Sequence, residues 1–360
     1  MTWSAHMNRH RRALTAGGIA TCSISLLLIA VHPRDAMAGW LAAFVFCSSF
    51  PVGSLFLLFM IRLIPGRWGP LLSAPTTAAT ILLPCVLIAA LPILMAPGQI
   101  NDWADAQTQN GFQAVYLTPW FYALRTILFV SVGSIVAYAS TYWESMATRW
   151  AVIGLIILVP FHALIATDWL MSHDPEFHSS GFGLYILSIQ MPVALCAVIL
   201  ACIDAGLSGI KPREDDIGLL SGLLLTALLL WAYFAFLQYL IIWSGNAPAG
   251  ARWYQHLQEH GWGIVGLVVA ILHAGPMLVL MLPPLRRSSL CLASSALIIL
   301  LAKLAEIARL VLAILDVNLT IALPALLLGT GGLSVLLAAG LSWDPREMVL
   351  RMSSSGEHRR

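Results

Sequence analysis

The stretch from Ala36 to Ile61, AMAGWLAAFVFCSSFPVGSLFLLFMI, decides the class of fold. Its 26 residues include no Asp, Glu, Lys, Arg or His. Because the apolar residues run continuously and do not alternate with polar ones, the stretch predicts a helix and not a barrel strand. A bilayer core about 30 Å thick needs roughly 20 such residues in a helix. The stretch is therefore long enough to span a membrane.

The composition of the whole chain extends this pattern. Hydrophobic residues make up 59% of the 360 residues and charged residues make up 10%, against about 45–50% and about 25% in soluble domains. The 19 Lys and Arg and the 17 Asp and Glu are too few to cover a water-soluble globule of this size. These proportions exclude a soluble enzyme, a disordered chain and a nucleic-acid-binding protein. They predict an all-α polytopic membrane protein.

Ten apolar runs of this kind follow one another along the chain. They lie near residues 13–31, 36–61, 71–95, 117–140, 147–171, 180–203, 216–243, 260–283, 288–314 and 322–343. We therefore expect a transmembrane domain of about ten helices over residues 13–343. Short cytoplasmic tails are expected over residues 1–12 and 344–360.

The distribution of positive charge predicts the orientation. Ten spans place both termini on one side of the membrane, and fourteen Lys and Arg residues fall in the tails and loops of that side. The loops of the opposite side hold only Arg34 and Arg252. By the positive-inside rule, this bias predicts that both termini are cytoplasmic.

The first apolar run has a second interpretation. Arg9, Arg11 and Arg12, the run itself and the sequence Ala36-Met37-Ala38 imitate a cleavable secretory signal. The run is long for such a signal, and the small-residue site lies beyond its end. We expect an uncleaved first helix, although cleavage would leave the orientation of the other nine spans unchanged.

Ionisable side chains inside the predicted spans are the main candidate functional residues, because burying them in a membrane is costly. Arg125 and His162 lie at a similar depth, about eight or nine residues below the outer face, with Asp168 nearer that face. Lys303 and Glu306 are three residues apart on one helix face and can pair. The same groups suit either a proton pathway or structural hydrogen bonds between helices. The full set is Arg125, His162, Asp168, His273, Lys303, Glu306 and Arg309.

The seventh span contains an aromatic and polar sequence. A flat aromatic surface with one amide suits a quinone ring, but it also suits helix packing, and aromatic residues near a span end are common at membrane interfaces. The candidate quinone-binding residues are Trp231, Tyr233, Phe236, Gln238 and Tyr239.

Bound metal is not expected in this chain. The six cysteines lie in or at the ends of spans without a C-x-x-C pair, which is typical of small buried hydrophobes. A b-type haem needs two His at similar depth on facing helices, whereas His162 and His273 differ in depth by roughly 7 Å. We therefore expect no haem, iron–sulfur cluster or other metal bound by this chain.

Three stretches together resemble one family. They are FVFCSSFPVGSLFLLFMIRLIPGRWG at 44–69, TDWLMSHDPEFHSSGFGLY at 167–185 and WAYFAFLQYLIIWSGNAP at 231–248. In this order and spacing they resemble the ActF membrane subunit of bacterial alternative complex III, within the NrfD/PsrC group of quinone-interacting membrane proteins. The resemblance covers about residues 40–345. It is carried mainly by the pair of motifs D-W-x-M-S-x-D-P and Q-Y-x-I-I-W-x-x-N.

The resemblance implies a fold of two four-helix bundles with peripheral helices. It also implies an integral subunit, without redox centres of its own, of a quinol-oxidising respiratory complex in the bacterial inner membrane. Its partners would be iron–sulfur and c-type haem subunits, a sister NrfD-like membrane subunit and lipid, and its one expected cofactor is a quinone or quinol. Proton translocation through polar half-channels is proposed for such subunits. The nearest matching polar positions here are His162, Asp168, Asp174, His273 and Asp316. Together with Arg125, Lys303 and Glu306 from inside the spans, they are the candidates for a proton pathway.

The chain departs from the family pattern at two places. Phe177 stands where the family has Trp, and the sequence Pro248-Ala249-Gly250-Ala251 lacks the acidic pair that the family has after its Asn. A structural membrane anchor without quinone chemistry therefore remains an alternative. A proton-coupled transporter is a second alternative, for which matched inverted halves would be expected.

Overall fold

The computed structural model describes residues 2–104, 111–174, 176–204, 212–245 and 248–341. Within these ranges the chain is helical and contains no strand. The α-helices, in chain order, are α1 (Thr2–Val31), α2 (Pro33–Leu63), α3 (Trp68–Ile81), α4 (Cys85–Met95), α5 (Phe112–Tyr116), α6 (Pro119–Tyr142), α7 (Ala147–Trp169), α8 (Phe182–Ile203), α9 (Glu214–Gly245), α10 (Pro248–His256), α11 (Trp262–Met281), α12 (Pro283–Arg286), α13 (Ser289–Leu315) and α14 (Leu319–Leu341). We call the side on which α1 begins the near side, and the side on which α2 begins the far side.

Helix α2 contains the stretch that decided the fold class, and it begins and ends where its sequence predicts. Pro33 lies in its first turn, where the backbone N–H that proline lacks would have no helical partner. Asp35 lies in the same turn, where its negative charge interacts favourably with the positive end of the helix dipole. Arg62 lies in its last turn, and the chain then leaves the helix at Ile64. Almost the whole length between these ends is buried. An all-round apolar helix of this kind belongs at the centre of a bundle.

The helices form two four-helix bundles, and α2 belongs to one bundle and packs against the other. One bundle contains α2, α6, α7 and the pair α3–α4. The other contains α8, α9, α11 and α13, and α2 also packs against α8 and α13 of this second bundle. Helices α1 and α14 pack on each other and on α2 at the periphery. The expected all-α polytopic fold with two four-helix bundles and peripheral helices is confirmed.

One glycine brings the two bundles into close contact. A Cβ on Gly53 of α2 would meet the carbonyl oxygen of Gln190 and the side chain of Ala194 on α8. Only a residue without a side chain allows the two backbones to approach this closely. This contact fixes the position of Gln190, which matters below because its side chain reaches His162.

Eight helices are long and apolar enough to cross a membrane by length and composition, and the pair α3–α4 would make a ninth crossing. Helix α13 is not in that count, although it has 27 residues. The predicted tail 1–12 continues the first helix, since α1 begins at Thr2. The predicted span 71–95 is bent by 41° between α3 and α4, where Pro84 cannot donate a helical hydrogen bond. The predicted tail 344–360 lies outside the described residues.

Candidate functional site

A buried ion pair closes the far end of the first bundle. Arg125 of α6 donates from Nε to Asp168 Oδ2 of α7 at 2.6 Å and from Nη2 to Oδ1 at 2.8 Å. The two side chains are 5% and 0% exposed. Two parallel charge-assisted bonds fix both groups in one geometry. The structure thus brings together the carboxylate and the arginine that sequence analysis had placed in the same proton pathway.

The loop before α6 covers this pair. Arg125 donates from Nη1 to the Tyr116 carbonyl at 3.0 Å, and its guanidinium lies 3.8 Å from the centre of the Tyr116 ring. Burial raises the pKa of the Tyr116 hydroxyl above its ordinary value, and the nearby Asp168 carboxylate raises it further. The phenol therefore stays protonated at physiological pH. It can serve as a hydrogen-bond donor beside the ion pair.

His162 lies in the same helix as Asp168 but faces a different neighbour. Its Nε2 is 2.8 Å from Gln190 Oε1 of α8, and its ring meets the edges of the Phe56 and Phe129 rings. A spacing of six residues turns two side chains of a helix well apart. No hydrogen bond or ion pair among the described residues joins His162 to Asp168. The predicted pathway through both residues is therefore not formed by direct contact.

A second and larger polar network occupies the interior of the second bundle. Its centre is the Glu306 carboxylate of α13, which accepts three hydrogen bonds. Oε1 accepts from the Tyr185 hydroxyl of α8 at 2.7 Å and from Trp231 Nε1 of α9 at 2.9 Å. Oε2 accepts from Lys303 Nζ at 2.9 Å. Three helices of the bundle thus supply donors to one carboxylate.

The fourth helix, α11, contributes an imidazole to this network. His273 stacks on Trp231, with ring centroids 3.8 Å apart and planes inclined by 19°. Its Nδ1 lies 2.7 Å from the Val269 carbonyl, which can only accept, so Nδ1 carries a proton. Its Nε2 has no hydrogen-bond partner in the part of the chain that the structure describes, and it lies 3.9 Å from Glu306 Oε2. Lys303 Nζ also lies 3.8 Å from the centre of the Trp231 ring.

This geometry defines what the network can do chemically. Lys303 is fully buried and Glu306 nearly so, with 0% and 7% of their side chains exposed. Such charges are tolerated in an apolar interior only when they are paired and hydrogen-bonded. A neutral imidazole with a free lone pair on Nε2 is a proton acceptor. The network can therefore hold a proton and exchange it between His273 and Glu306.

Arg309, which sequence analysis placed among the ionisable residues inside the spans, does not join the network. It donates from Nε and Nη2 to the carbonyl of Leu257, which precedes α11. It also donates from Nε to the carbonyl of Trp262, the first residue of α11. Tyr254 lies close by, and burial raises the pKa of its hydroxyl to about 12 although the Arg309 charge opposes the shift. Arg309 thus anchors the α10–α11 connection to α13.

The predicted quinone-binding residues lie on different faces of α9. Trp231 points into the network, and the buried Gln238 accepts a hydrogen bond from Ser179 Oγ at 2.7 Å. Tyr233, Phe236 and Tyr239 are 56%, 61% and 48% exposed on the outside of the bundle. The five residues therefore do not form one aromatic wall, because their spacing in sequence does not match the helical repeat of a single face.

Two predicted acidic residues lie outside both clusters. Asp174 follows α7 and accepts a hydrogen bond from the Glu176 backbone N–H at 3.1 Å. Asp316 is the exposed residue that ends α13, with a left-handed backbone φ of 45°. Both are explained by local turn geometry, since Asp tolerates such conformations and caps its own turn.

Sequence analysis missed three residues that complete these clusters. Tyr185 was seen only as the end of a family motif, and Tyr116 lies just before a predicted span. Gln190 is an uncharged amide in the sixth span and was passed over in a search for ionisable groups. An amide or phenol deep in a span is the signal that could have identified them, because such groups need partners in an apolar interior.

Fold and site together define an all-α polytopic membrane protein with one buried charged network in each of two four-helix bundles. The part of the chain that the structure describes contains no cluster of three or more His, Cys, Asp or Glu that could hold a metal ion. Compared with models of known protein families and with curated proteins, the chain matches none.

Proposed function

We propose that this chain is an integral membrane subunit of a quinol-oxidising respiratory electron-transfer complex in the bacterial inner membrane. It carries no redox centre. It works beside iron–sulfur and c-type haem subunits and a sister NrfD-like membrane subunit, with both of its own termini in the cytoplasm. The proposal is supported by the three sequence stretches that resemble the ActF subunit, and by the arrangement of two bundles with α1 and α14 at the periphery.

The observation that carries the proposal is the geometry of His273 and Glu306. Quinol oxidation releases two protons for each quinol, so a subunit beside the reaction needs buried groups that accept and pass protons. His273 presents Nε2, which has no hydrogen-bond partner among the described residues, 3.9 Å from Glu306 Oε2. Lys303 balances the carboxylate charge, and Tyr185 connects it to the first turn of α8. This imidazole nitrogen beside a carboxylate supports a proton-handling role for the network.

The first bundle has a complementary role in this proposal. The Arg125–Asp168 pair is a closed unit in which both carboxylate oxygens are engaged. Such a pair fixes a charge near the far side and shapes the local field for protons that leave there. Trp231 and Gln238 are the two quinone-binding candidates that face the interior. Gln238 is also suited to a quinone carbonyl, because its buried Nε2 has no hydrogen-bond partner within the described ranges.

The proposal is tested by purifying the tagged protein from its native membranes in mild detergent. Co-purifying c-type haem, seen in the absorption spectrum, and iron–sulfur subunits, seen by mass spectrometry, are the expected result. An intact, haem-free protein without such partners would contradict the proposal and favour a membrane anchor or a transporter.

The isolated complex then allows a direct test of the network. Glu306→Gln and His273→Gln should each lower quinol-dependent electron transfer or its proton yield. Glu214→Gln is the matched control, because Glu214 is an exposed residue in the first turn of α9. Unchanged rates and proton yields in both network variants would remove the proton-handling role.

A further inference from the structure

A cleft on the near side lies apart from both buried networks. It is formed where α12 meets the first turns of α9, and its volume is about 310 Å³. Its lining consists of Asp215, Gly218, Leu219, Pro283, Arg286 and Arg287. The volume is at the lower end of the range for small-molecule sites. It can hold a polar headgroup but not a whole lipid.

The cleft is held in place by hydrogen bonds between the two chain segments. Arg286 donates from Nε to the Gly218 carbonyl at 3.0 Å, and Ser221 Oγ donates to the Arg286 carbonyl at 2.7 Å. A Cβ at Gly218 would lie 3.5 Å from Arg287 Cγ, and one at Gly222 would lie 3.4 Å from Arg286 Nη2. The hydrogen bonds therefore position the Arg286 guanidinium against α9, and the Arg287 side chain passes beside Gly218.

The cleft carries charges of both signs. Asp215 and Arg287 are exposed, and neither makes a hydrogen bond or ion pair within the described parts of the chain. The neighbouring Asp216, by contrast, is paired with Arg67 at 3.0 Å and accepts from the Arg213 backbone N–H. The lining thus includes one carboxylate and two arginines around a space that protein atoms do not fill.

Apolar side chains border this charged cleft. Leu282 is 51% exposed, Met281 60% and Leu278 64%, and they lead from the cleft along α11. Exposed apolar residues on a membrane-spanning helix face acyl chains. A molecule that fits must therefore combine a phosphate for the arginines, a cation for Asp215 and hydrocarbon chains that run along the helices.

We infer that this cleft binds the headgroup of phosphatidylethanolamine. Its phosphate would accept from Arg286 and Arg287, which suit phosphate oxygens through their planar donors. Its primary ammonium has N–H donors for Asp215. Phosphatidylcholine has a cation without N–H donors, and phosphatidylglycerol has no cation at all. The inference does not rest on the proposed electron-transfer role.

The test is native mass spectrometry of the purified, delipidated protein, titrated separately with these three lipids. We expect phosphatidylethanolamine to bind at least about tenfold more tightly than either other lipid, as the loss of a charge-assisted bond implies. Arg287→Gln should weaken its binding by a similar factor. Asp215→Asn should remove most of its advantage over phosphatidylglycerol.

The matched control is Arg149→Gln, an exposed arginine at the near-side end of α7 in the other bundle. It should leave lipid binding unchanged. Because Arg287 makes no hydrogen bond or ion pair with the residues that the structure describes, its substitution should not unfold the protein, which a thermal melt in detergent would verify. Equal binding of all three lipids, or an equal loss in the Arg149 and Arg287 variants, would overturn the inference. Preferential binding of phosphatidylglycerol that Asp215→Asn leaves unchanged would also overturn it, in favour of a general anionic-lipid site.

Discussion

His273 turns its Nε2 towards the Glu306 carboxylate, 3.9 Å from Oε2, while its Nδ1 is engaged with the Val269 carbonyl on its own helix. The two residues come from α11 and α13, which lie antiparallel and pack closely. The stack on Trp231 fixes the plane of the imidazole, so the direction of its lone pair is fixed as well. This separation is too long for a hydrogen bond. A water molecule or a small side-chain rotation would complete a proton connection.

Glu306→Gln is expected to reduce both stability and function. The change leaves the fully buried Lys303 ammonium without its counter-charge, and removing one member of a buried pair costs about 3–5 kcal/mol. Replacing both residues, as Lys303→Met with Glu306→Leu, should recover most of that stability without recovering proton yield. Thermal unfolding in detergent measures the first effect, and proton release per quinol oxidised measures the second. Full proton yield in the double variant would show that the pair serves only packing.

Tyr185→Phe is a milder probe of the same carboxylate. It removes one hydrogen bond to a charged group, which contributes about 1.5–3 kcal/mol, and leaves the Trp231 and Lys303 bonds in place. We expect a correspondingly smaller loss of thermal stability than with Glu306→Gln. Tyr233→Phe on the exposed side of α9 is the control and should change stability very little. A larger loss in the control would contradict the assignment of Tyr185 to the network.

Asp168→Asn tests the buried pair of the first bundle. Breaking the pair leaves Arg125 uncompensated in a dry environment, and we expect a loss of about 3–5 kcal/mol in unfolding free energy. The pair Arg67–Asp216 provides the comparison, since its Arg67 side chain is 70% exposed, although that of Asp216 is only 12% exposed. We expect solvent screening at Arg67 to make the coupling in this pair smaller. A double-mutant cycle on each pair measures both couplings. Equal coupling energies in the two pairs would contradict the expectation that burial strengthens the coupling between Arg125 and Asp168.

His162→Phe separates packing from proton handling in the first bundle. Phe56 and Phe129 already surround the ring, so a phenyl group fits, and the main cost is an unsatisfied Gln190, about 1–3 kcal/mol. Because His162 does not contact the Arg125–Asp168 pair, we expect its substitution to leave proton yield much closer to the native value than His273→Gln does. The reverse order of effects would place the proton pathway in the first bundle.

The predicted orientation can be checked with fusions to alkaline phosphatase, which is active only outside the cytoplasm. Fusions at either terminus should be inactive. An insertion between α10 and α11, beside Glu259, should be active, because that connection lies on the far side. An active fusion at either terminus would invert the topology and would also move the lipid cleft to the outer leaflet.

The local sequence determined much of this fold. The uncharged stretch from Ala36 to Ile61 predicted a buried helix, and α2 is the most enclosed element of the molecule. The spacing of Lys303 and Glu306 predicted their pairing, because residues three apart share a helix face whatever surrounds it. The 41° bend at Pro84 and the helical start at Thr2 were missed, since apolar composition does not report where a long helix bends or how far it extends.

Only the tertiary structure decided which polar residues act together. His162 and Asp168 share a helix, yet one reaches Gln190 and the other Arg125, because a separation of six residues points their side chains in different directions. The Glu306 carboxylate is surrounded by side chains from three other helices far apart in sequence, namely Tyr185, Trp231 and His273. Apolar periodicity specifies that a segment crosses the membrane and which face is buried. The rotation of each helix against its neighbours is set by packing across the bundle, and no single segment of sequence encodes it. Gly53 is an example, because its missing side chain allows α8 to pack closely against α2.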